Sequence, residues 1–387
     1  MLELIHEIIG EDRITIAVAI VAIMTAFLLL KIRRLRRANR QLVRRVKIET
    51  NRFVMSESSN RHLLPSVAII IPMRNELKNA EACLMSLFQQ DYPGDFEVMV
   101  CLPDIEDPTF GTISKYQKQG KISVVFSGVT SKPEQIHTAA SLSKSELVAF
   151  LDADCCPAEN WLKKMVKTLQ QRNLDSLSGG LIVHKRDFFS AAQAYDFVLY
   201  MGLIIPSNYF WSGNTIMKNA IYKQIGGVTG ARGISESWEW EKKLIKHGVQ
   251  HGITLASEAN VTLVPKTSFS SFVRQRTRWI SIAFLRGIDG LLVMFFLYGI
   301  YLPFLLLCCI SFIINSYLPL LILLFTGLYY LQDLLLIRKW SKYLSQPLPK
   351  KGMLPHIIVV LLQMISFYEA LWLEISGKTR GWEKGKF

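Results

Sequence analysis

The stretch Leu147–Asp154, which reads Leu-Val-Ala-Phe-Leu-Asp-Ala-Asp, decides the fold of this 387-residue chain. Its five apolar residues predict a strand that is buried on both faces of a parallel sheet. Asp152 and Asp154 follow at the carboxyl end, and a strand's period of two sends both side chains to the same side. Because open α/β sheets bind ligands at that edge, the pair suits a hard divalent cation that also binds phosphate oxygens and water. A helix cap or a loop acid is the alternative role.

Strands and helices alternate from Pro65 onward, which predicts an α/β fold with a mixed, mostly parallel sheet flanked by helices. The other predicted strands are Val67–Ile71, Phe96–Cys101, Ile122–Phe126 and Ser178–Val183. The predicted helices are Leu77–Gln90, Pro108–Gln119, Pro133–Ser143 and Glu159–Gln171. The aromatic and aliphatic stretch Phe188–Tyr209 is expected to be either an ordinary packed helix or an amphipathic helix on a membrane surface.

A second motif, Gln275-Arg276-Thr277-Arg278-Trp279, lies about 120 residues after the Asp pair. It offers two guanidinium groups, an amide and an indole, which together suit a diphosphate and a sugar ring. On a helix, Gln275 shares a face with Arg278 and Trp279, so the three side chains can converge on one ligand. An arginine and tryptophan anchor ahead of a membrane helix is the alternative interpretation.

An uninterrupted apolar stretch from Ile14 to Leu30 is close to the length of a membrane-spanning helix. Lys and Arg residues follow it between positions 31 and 52, whereas a cleaved signal peptide carries its charge before the apolar region. We therefore expect residues 1–30 to be a signal anchor with its basic side in the cytoplasm. Residues 31–64 would form a basic juxtamembrane helix and a linker.

About three further membrane helices are expected between residues 291 and 376. The apolar segments are Leu291–Ile314, Tyr317–Ile337 and Leu354–Ile375. Asn315 and Ser316 would form a tight extracytoplasmic turn, and the basic loop 338–351 would be cytoplasmic. Gln363 and Glu369 interrupt the third segment. Both a spanning helix and a re-entrant segment with a cytoplasmic tail at 377–387 remain open.

The formal net charge of +14 does not indicate nucleic-acid binding. The basic excess lies beside a predicted membrane span, where anionic lipid is the nearer partner. The chain shows neither a basic duplex-reading helix nor basic residues interleaved with stacking aromatics, so we expect no nucleic-acid partner.

The six cysteines predict reduced thiols rather than a disulfide framework. They form two adjacent pairs, Cys155-Cys156 and Cys308-Cys309, and two isolated residues, Cys83 and Cys101, without a Cys-x-x-Cys spacing. Ligation of a soft metal by the pair that follows the Asp motif is the alternative.

Five motifs taken in order resemble the family 2 glycosyltransferases, in particular the membrane-bound branch of cellulose and hyaluronan synthases and ceramide glucosyltransferases. They are Ile71–Glu76, the Asp pair, Trp211–Asn214, Ile225–Gly227 and Gln275–Trp279. The resemblance covers about Pro65 to Trp279, and it implies a GT-A fold in a domain at 65–290 that ends in an interfacial helix. It also implies an inverting enzyme with a nucleoside-diphosphate sugar as donor and a divalent cation, Mg²⁺ or Mn²⁺, as cofactor.

The resemblance implies a role for each matching residue. Asp154 and Asp152 would hold the metal; Pro72, Arg74, Glu76, Asp107, Lys132, Asp152 and Arg278 would bind the nucleotide sugar; and Gly213, Asn214, Gln275 and Trp279 would bind the acceptor. Two places depart from the family pattern. Leu102 and Pro103 replace the acidic residues that hold uracil, with Asp104 as a possible substitute, and His137 replaces an asparagine. The nucleotide base is therefore left open.

The catalytic base is the largest departure. The family places an acidic pair where this chain reads Ser235-Glu236-Ser237, so Ser237 occupies the position of the usual catalytic Asp. A hydroxyl is a poor proton acceptor at neutral pH. Glu236 is the first candidate for the base and Glu239 the second, since both can share a helix face. An acceptor that is already nucleophilic, or a loss of catalysis, would explain the same departure.

Together these features predict a membrane-anchored inverting glycosyltransferase that transfers one sugar to a lipid or lipid-linked acceptor. We expect an integral protein of a bacterial cytoplasmic membrane, with the catalytic domain in the cytoplasm. A processive polysaccharide synthase and a non-catalytic sugar-nucleotide-binding subunit are the alternatives, and the oligomeric state is left open.

Overall fold

The computed structural model of the chain describes residues 2–55, 64–184, 187–204, 211–228, 236–314, 317–348 and 353–378. Several features expected from the sequence lie outside these ranges: most of the linker before residue 64, the turn at 315–316 and most of the basic tail. The side chain of Glu236 is also outside the described part of the chain.

A mixed sheet organises the described domain. Its strands and those of a smaller sheet are β1 (Val67–Pro72), β2 (Phe96–Leu102), β3 (Ser123–Phe126), β4 (Leu147–Leu151), β5 (Cys155–Pro157), β6 (Ser176–Ser178), β7 (Leu181–Val183), β8 (Asn214–Lys218), β9 (His251–Ile253) and β10 (Val261–Leu263). The main sheet has the order β3-β2-β1-β4-β8-β6-β9, and the smaller one the order β5-β10-β7. In the main sheet only β8 runs antiparallel to its described neighbours, so the predicted fold class is confirmed.

The helices divide into a domain set and an apolar set. The domain helices are α2 (Ala80–Phe88), α3 (Pro108–Lys118), α4 (Lys132–Leu142), α5 (Trp161–Gln171), α6 (Phe188–Ile204), α7 (Asn219–Gln224), α8 (Glu236–Lys246) and α9 (Phe269–Phe284). The apolar set is α1 (Leu2–Met55), α10 (Ile288–Met294), α11 (Tyr301–Ile314), α12 (Leu318–Tyr343) and α13 (Met353–Ile375). Every strand and helix predicted between Pro65 and Gln171 appears, with ends that differ by at most three residues.

Helices cover both faces of the main sheet, and β1 shows this most clearly. All six of its residues are buried. Ile69 and Ile71 belong to a hydrophobic cluster that includes α2 and α5, whereas Ala68 and Ile70 belong to a second cluster with α4, α7 and α8. The alternation follows the period of two of a strand, which explains why a strand buried on both faces reads as a continuous apolar run.

The predicted strand Ser178–Val183 is wrong, because this stretch forms two strands in different sheets. Gly179 and Gly180 separate β6 from β7. A Cβ on Gly179 would lie 2.2 Å from the carbonyl oxygen of Ala259. The chain leaves the main sheet at a close backbone crossing that only glycine allows.

Three described helical segments are long and apolar enough to cross a membrane, judged by length and composition: Thr15–Arg44, Leu318–Tyr343 and His356–Ile375. The pair Ile288–Gly299 and Tyr301–Phe312 could form a fourth span, but it is bent by 50°. The expected single helix Leu291–Ile314 is therefore broken, and the π-helical turn Phe295–Gly299 precedes the break.

The helix α6 is an ordinary packed helix over residues 188–204, as one of the two predictions had it. Most of its side chains are buried, including Ala192, Ala194 and Phe197. It packs against β7, α12 and α13, so it lies between the sheet domain and the apolar helices. The remaining predicted residues, 205–209, are outside the described ranges.

Two buried ion pairs connect these helices. Lys31 of α1 pairs with Asp333 of α12 at 2.7 Å. Asp196 of α6 pairs with Arg276 of α9 at 2.9 Å, and it also accepts a hydrogen bond from Gln363 of α13 at 2.9 Å. All five side chains are almost completely buried. Gln363, one of the two polar residues that interrupt the third apolar segment, therefore hydrogen-bonds to α6 inside the protein.

Replacing Asp196 with alanine should destabilise the protein by about 3–5 kcal/mol, because the Arg276 guanidinium would stay buried without its carboxylate. Thermal unfolding of the purified protein in detergent, followed by tryptophan fluorescence, measures the loss. The double variant Asp196→Leu/Arg276→Met should recover most of it, since apolar side chains replace both charges. A double variant as unstable as the single one would contradict this explanation. Asp91→Ala, which removes an exposed ion pair with Lys163, is the matched control.

Candidate active site

The two carboxylates of the opening stretch lie in the turn that joins β4 to β5. The Cys155 amide donates to the carbonyl oxygen of Asp152 at 3.0 Å and closes this turn. The turn, rather than the period of two of a strand, therefore brings Asp152 and Asp154 to the same side. Burial raises the pKa of Asp154, and the nearby Lys266 opposes that shift.

The strand β8 approaches the first carboxylate closely. It runs antiparallel to β4 with Asn214 opposite Leu151, so the preceding residue, Gly213, lies next to Asp152. A Cβ on Gly213 would be 2.6 Å from the Asp152 Oδ2. The glycine is therefore required for space, and it fixes one side of the carboxylate.

The loop after β1 carries residues predicted to contact the nucleotide. Asn75 adopts a φ of 56°, and its amide donates to the two carboxylate oxygens of Asp107 at 3.2 and 3.1 Å. Asp107 also caps α3 by accepting a hydrogen bond from the Thr109 amide at 2.9 Å. Asp107 thus fixes the loop. Burial raises the pKa of the neighbouring Glu76 carboxyl group.

Two lysines flank the Asp pair. The Nζ of Lys132, in the first turn of α4, lies 2.8 Å from the Oδ1 of Asp152. The Nζ of Lys266, in the loop between β10 and α9, lies 3.6 Å from the Oδ2 of Asp154. Each carboxylate therefore has a cationic partner that could turn to an anionic ligand.

One face of α9 lines the same cavity as the Asp pair. The helix begins with a capping box, in which the Ser268 hydroxyl accepts from the Ser271 amide at 3.3 Å. The residues facing the cavity follow a helical spacing of three and four: Ser271, Arg274, Gln275, Arg278, Trp279 and Ile282. The structure therefore brings Gln275, Arg278 and Trp279 together.

Trp279 is oriented by two neighbours. Its ring stacks on Tyr200 of α6, with ring centroids 5.5 Å apart and an interplanar angle of 23°. The guanidinium carbon of Arg276 lies 4.2 Å from the centroid of the indole. Arg276 also donates to the Oε1 of Gln275 at 3.1 Å. The buried pair of Asp196 and Arg276 thus supports two side chains of the cavity.

These elements surround one cavity of about 760 Å³. Most predicted site residues line it: Pro72, Arg74, Glu76, Asp107, Lys132, Asp152, Asp154, Gly213, Gln275, Arg278 and Trp279. Its apolar and aromatic lining includes Leu181, Phe197, Tyr200, Trp211, Leu263 and Ile282. The Asp pair and the Gln-x-x-Arg-Trp helix therefore share a cavity whose lining combines charged, aromatic and apolar side chains.

Asn214 has a different role from the predicted acceptor contact. Its side chain is completely buried and does not line the described cavity. The amide nitrogen donates to the carbonyl oxygens of Gly180 and Ala259 at 2.8 and 2.9 Å, and the oxygen accepts from the Trp161 indole at 2.9 Å. Asn214 therefore links the two sheets.

The two candidate bases are placed differently. Glu239 pairs with Lys242 at 2.8 Å and is not among the described residues that line the cavity. Glu236 begins α8, and its side chain is outside the described part. Ser237, the next residue, lines the cavity and accepts a hydrogen bond from the Ser212 amide at 3.4 Å. The start of α8 thus reaches the site.

The Asp pair fits a divalent cation. The Oδ1 of Asp152 is buried and accepts no hydrogen bond of good geometry, although Lys132 is near. Among the described residues, no group of three or more His, Cys, Asp and Glu side chains could hold a metal. Most ligands would therefore be phosphate oxygens and water, as Mg²⁺ prefers. Burial raises the pKa of the neighbouring Cys155 thiol well above its ordinary value.

Sequence reasoning missed several residues of the cavity, among them Tyr200, Lys266 and Arg274. Lys266 lies three residues after the end of β10, a short strand that the sequence analysis did not identify. The rule that strand ends carry ligand-binding residues would have found it had β10 been recognised. Arg274 precedes the quoted motif by one residue and gave no separate signal.

Comparison with known proteins matches part of the chain to a family. Residues 68–235 match the glycosyl transferase family 2 model. Glycosyltransferase AglE of Haloferax volcanii is 24% identical over 225 residues, which are 56% of this chain and 72% of that protein. A protein of Methanococcus voltae described as dolichyl N-acetyl-alpha-D-glucosaminyl phosphate 3-beta-D-2,3-diacetamido-2,3-dideoxy-beta-D-glucuronosyltransferase is 22% identical over 229 residues, 54% of this chain and 70% of that protein.

The fold is similar to that of a solved enzyme. The mannosyltransferase PcManGT from Pyrobaculum calidifontis, solved in complex with GDP-Man and Mn²⁺, superposes with a TM-score of 0.55 at 18% identity. The superposition covers 94% of this chain and 99% of that one. Residues 68–235 therefore form a domain that the glycosyl transferase family 2 model matches, and the superposition shows that the chain shares the fold of that solved enzyme.

Proposed function

We propose that the chain transfers a sugar, with inversion, from a nucleoside-diphosphate sugar to a lipid or lipid-linked acceptor at the cytoplasmic face of a membrane. One observation carries this proposal. A single cavity combines the Asp pair and its lysines with the aromatic faces of α6 and α9, and both helices pack against the apolar helix α13. A donor diphosphate and a membrane-derived acceptor could therefore meet there.

The charged lining of the cavity would bind the donor. Lys132 and Arg278 would bind the diphosphate, and the fixed loop after β1 would contact the base and ribose. Asp154 and Asp152 would hold the divalent cation, which neutralises charge on the departing diphosphate when bound. The charge of Arg278 acts to lower the pKa of the Asp154 carboxylate, so the two side chains are close enough to share one diphosphate and its cation.

The aromatic lining would bind the acceptor. Gln275 and Trp279 would contact the acceptor sugar or headgroup, and the neighbouring apolar side chains would accommodate lipid. The Thr277 hydroxyl of α9 donates to Glu369 of α13 at 2.9 Å, so α9 lies against a candidate membrane span. This position supports an acceptor that enters the cavity from the membrane. The name of the Methanococcus voltae relative also describes a dolichyl-phosphate-linked acceptor.

The charge distribution supports a cytoplasmic catalytic domain. Arg33 and Arg37 are exposed on α1 just beyond its apolar stretch, and Arg338 is exposed near the end of α12. The buried pair of Lys31 and Asp333 joins the two helices close to these arginines. Both basic ends therefore lie on one side, which the positive-inside rule makes the cytoplasmic side.

Glu236 is the base in this proposal. It begins α8 directly before Ser237, which lines the cavity. Its carboxylate would take the proton of the acceptor hydroxyl, whose oxygen forms a bond to the anomeric carbon. The bond from that carbon to the donor phosphate breaks on the opposite face, and the electron pair leaves with the diphosphate.

A non-catalytic sugar-nucleotide-binding subunit is the second candidate. The observation that favours it is that Ser237 lines the cavity at the position that the resemblance gives to the family's catalytic acid, although its hydroxyl is a poor proton acceptor. Binding of a nucleotide sugar without any product would support this candidate.

Incubating membranes that contain the protein with a panel of radiolabelled nucleotide sugars should yield a labelled, solvent-extractable glycolipid from one donor. Asp154→Ala should lower the rate about 10³-fold, because the cation loses its main ligand. Asp91→Ala, a surface carboxylate, should leave the rate unchanged. Labelled insoluble polymer would instead indicate a processive synthase, and binding without product a non-catalytic subunit.

Glu236→Gln should lower kcat about 10²–10⁴-fold with little change in KM, as expected for loss of a general base. The matched variant Glu239→Gln should stay within about threefold of the wild type, because it removes only an exposed ion pair with Lys242. Steady-state kinetics with the identified donor and acceptor make the comparison. An unaffected Glu236→Gln enzyme would mean that the acceptor supplies its own nucleophile.

Gly213→Ala should weaken Mn²⁺ binding roughly 10–100-fold, since the new Cβ would displace the Asp152 carboxylate. Titration calorimetry of the purified protein measures this affinity. Gly111→Ala is the control, because a Cβ at that position meets no atom within 4 Å. Equal Mn²⁺ affinity in both variants would contradict the assignment of Asp152 to the metal site.

A further inference from the structure

Lys266 is a cationic residue of the cavity to which neither the motifs nor the comparisons give a role. Its position is fixed through the backbone on its amino-terminal side. The Val264 amide donates to the carbonyl oxygen of Asp154 at 2.9 Å, which ties the loop after β10 to the Asp pair itself. Pro265 follows and restricts φ, so the direction of the chain toward Lys266 is constrained.

Gln193 of α6 holds the backbone of Lys266 from the other side. Its Oε1 accepts from the Lys266 amide at 3.0 Å, and its Nε2 donates to the Lys266 carbonyl oxygen at 2.8 Å. Gln193 is only 2% exposed, so the two bonds are shielded from water. It lies one turn before Asp196 on the same helix. Both backbone polar groups of Lys266 are thus used, and only its side chain remains mobile.

The contact between Lys266 and Asp154 is electrostatic. The distance of 3.6 Å from Nζ to Oδ2 is longer than a hydrogen bond, and the lysine side chain is one-third exposed to the cavity. A divalent cation bound to Asp154 would repel an ammonium group this close. The flexible four-carbon stem allows the ammonium group to move to an anion elsewhere in the cavity.

We propose that Lys266 binds the diphosphate of the donor and that it neutralises Asp154 until the cation and the diphosphate are both present. The proposal rests on the proposed nucleoside-diphosphate donor. Lys266 would thereby exchange one anionic partner for another, with its backbone held still by Gln193. The ligand chemistry is that of a metal-bound diphosphate, whichever base and sugar it carries.

The test measures binding and requires no sugar transfer. Purified Lys266→Met and Lys266→Arg proteins are titrated first with Mn²⁺ alone and then with inorganic pyrophosphate in the presence of saturating Mn²⁺, by calorimetry. Lys266→Met should bind Mn²⁺ about threefold more tightly than the wild type, because a competing cation is gone. It should bind pyrophosphate about tenfold more weakly, because a charge-assisted contact is lost.

Two variants complete the comparison. Lys266→Arg keeps the charge and should bind pyrophosphate within about threefold of the wild type. Lys163→Met removes an exposed lysine that pairs with Asp91, and both affinities should stay unchanged. The proposal is overturned if Lys266→Met binds pyrophosphate like the wild type, or if the wild type binds no pyrophosphate. It is also overturned if Lys266→Met and Lys266→Arg weaken Mn²⁺ binding equally. Intact binding in a protein that transfers no sugar would refute the proposed function alone.

Discussion

The buried ion pair between Asp196 and Arg276 is the interaction on which the aromatic wall of the cavity depends. Two charges removed from water are tolerated only when they are paired and hydrogen-bonded. Asp196 meets this condition through Arg276, Gln363 and Tyr298, which come from three different parts of the chain. The Arg276 guanidinium then lies against the Trp279 ring. The apolar helices and the wall of the cavity are therefore one packed unit, and a displacement of α13 would reach the proposed acceptor pocket.

The donor side depends on a different constraint, which is close backbone approach at the carboxyl edge of the sheet. Gly213 lets β8 pass beside Asp152, and the Val264 amide bonds directly to the Asp154 backbone. The two carboxylates are thus positioned by neighbouring main chains rather than by long side chains. Such a site loses little entropy when a ligand arrives, because most of its geometry is already fixed. The lysines beside it supply the parts that can move.

The sequence predicted local features well and long-range ones poorly. Strands such as β1 and β4 were recognisable because burial on both faces leaves a continuous apolar run. β8 and β10 were not recognised, because neither is a continuous apolar run and both pair with strands that are distant along the chain. Gln363 was noticed as a polar interruption, but its partner, Asp196, is 167 residues away. Asn214 was assigned to the acceptor on resemblance, whereas its buried amide joins the two sheets.

The helix that carries the proposed base is anchored to both halves of the site. Trp240 of α8 packs edge-on against Phe150 of β4, with ring centroids 4.7 Å apart, and Arg286, just beyond α9, donates to Glu241 at 2.6 Å. The start of α8 is thereby held relative to both β4 and α9, as the proposed in-line displacement would require. Moving the carboxylate from position 237 to Glu236 rotates its attachment by about 100° around the helix axis. With Glu236 as the proposed base, the acceptor hydroxyl would therefore approach from a different direction than the family pattern implies, in which the acid stands at the position of Ser237.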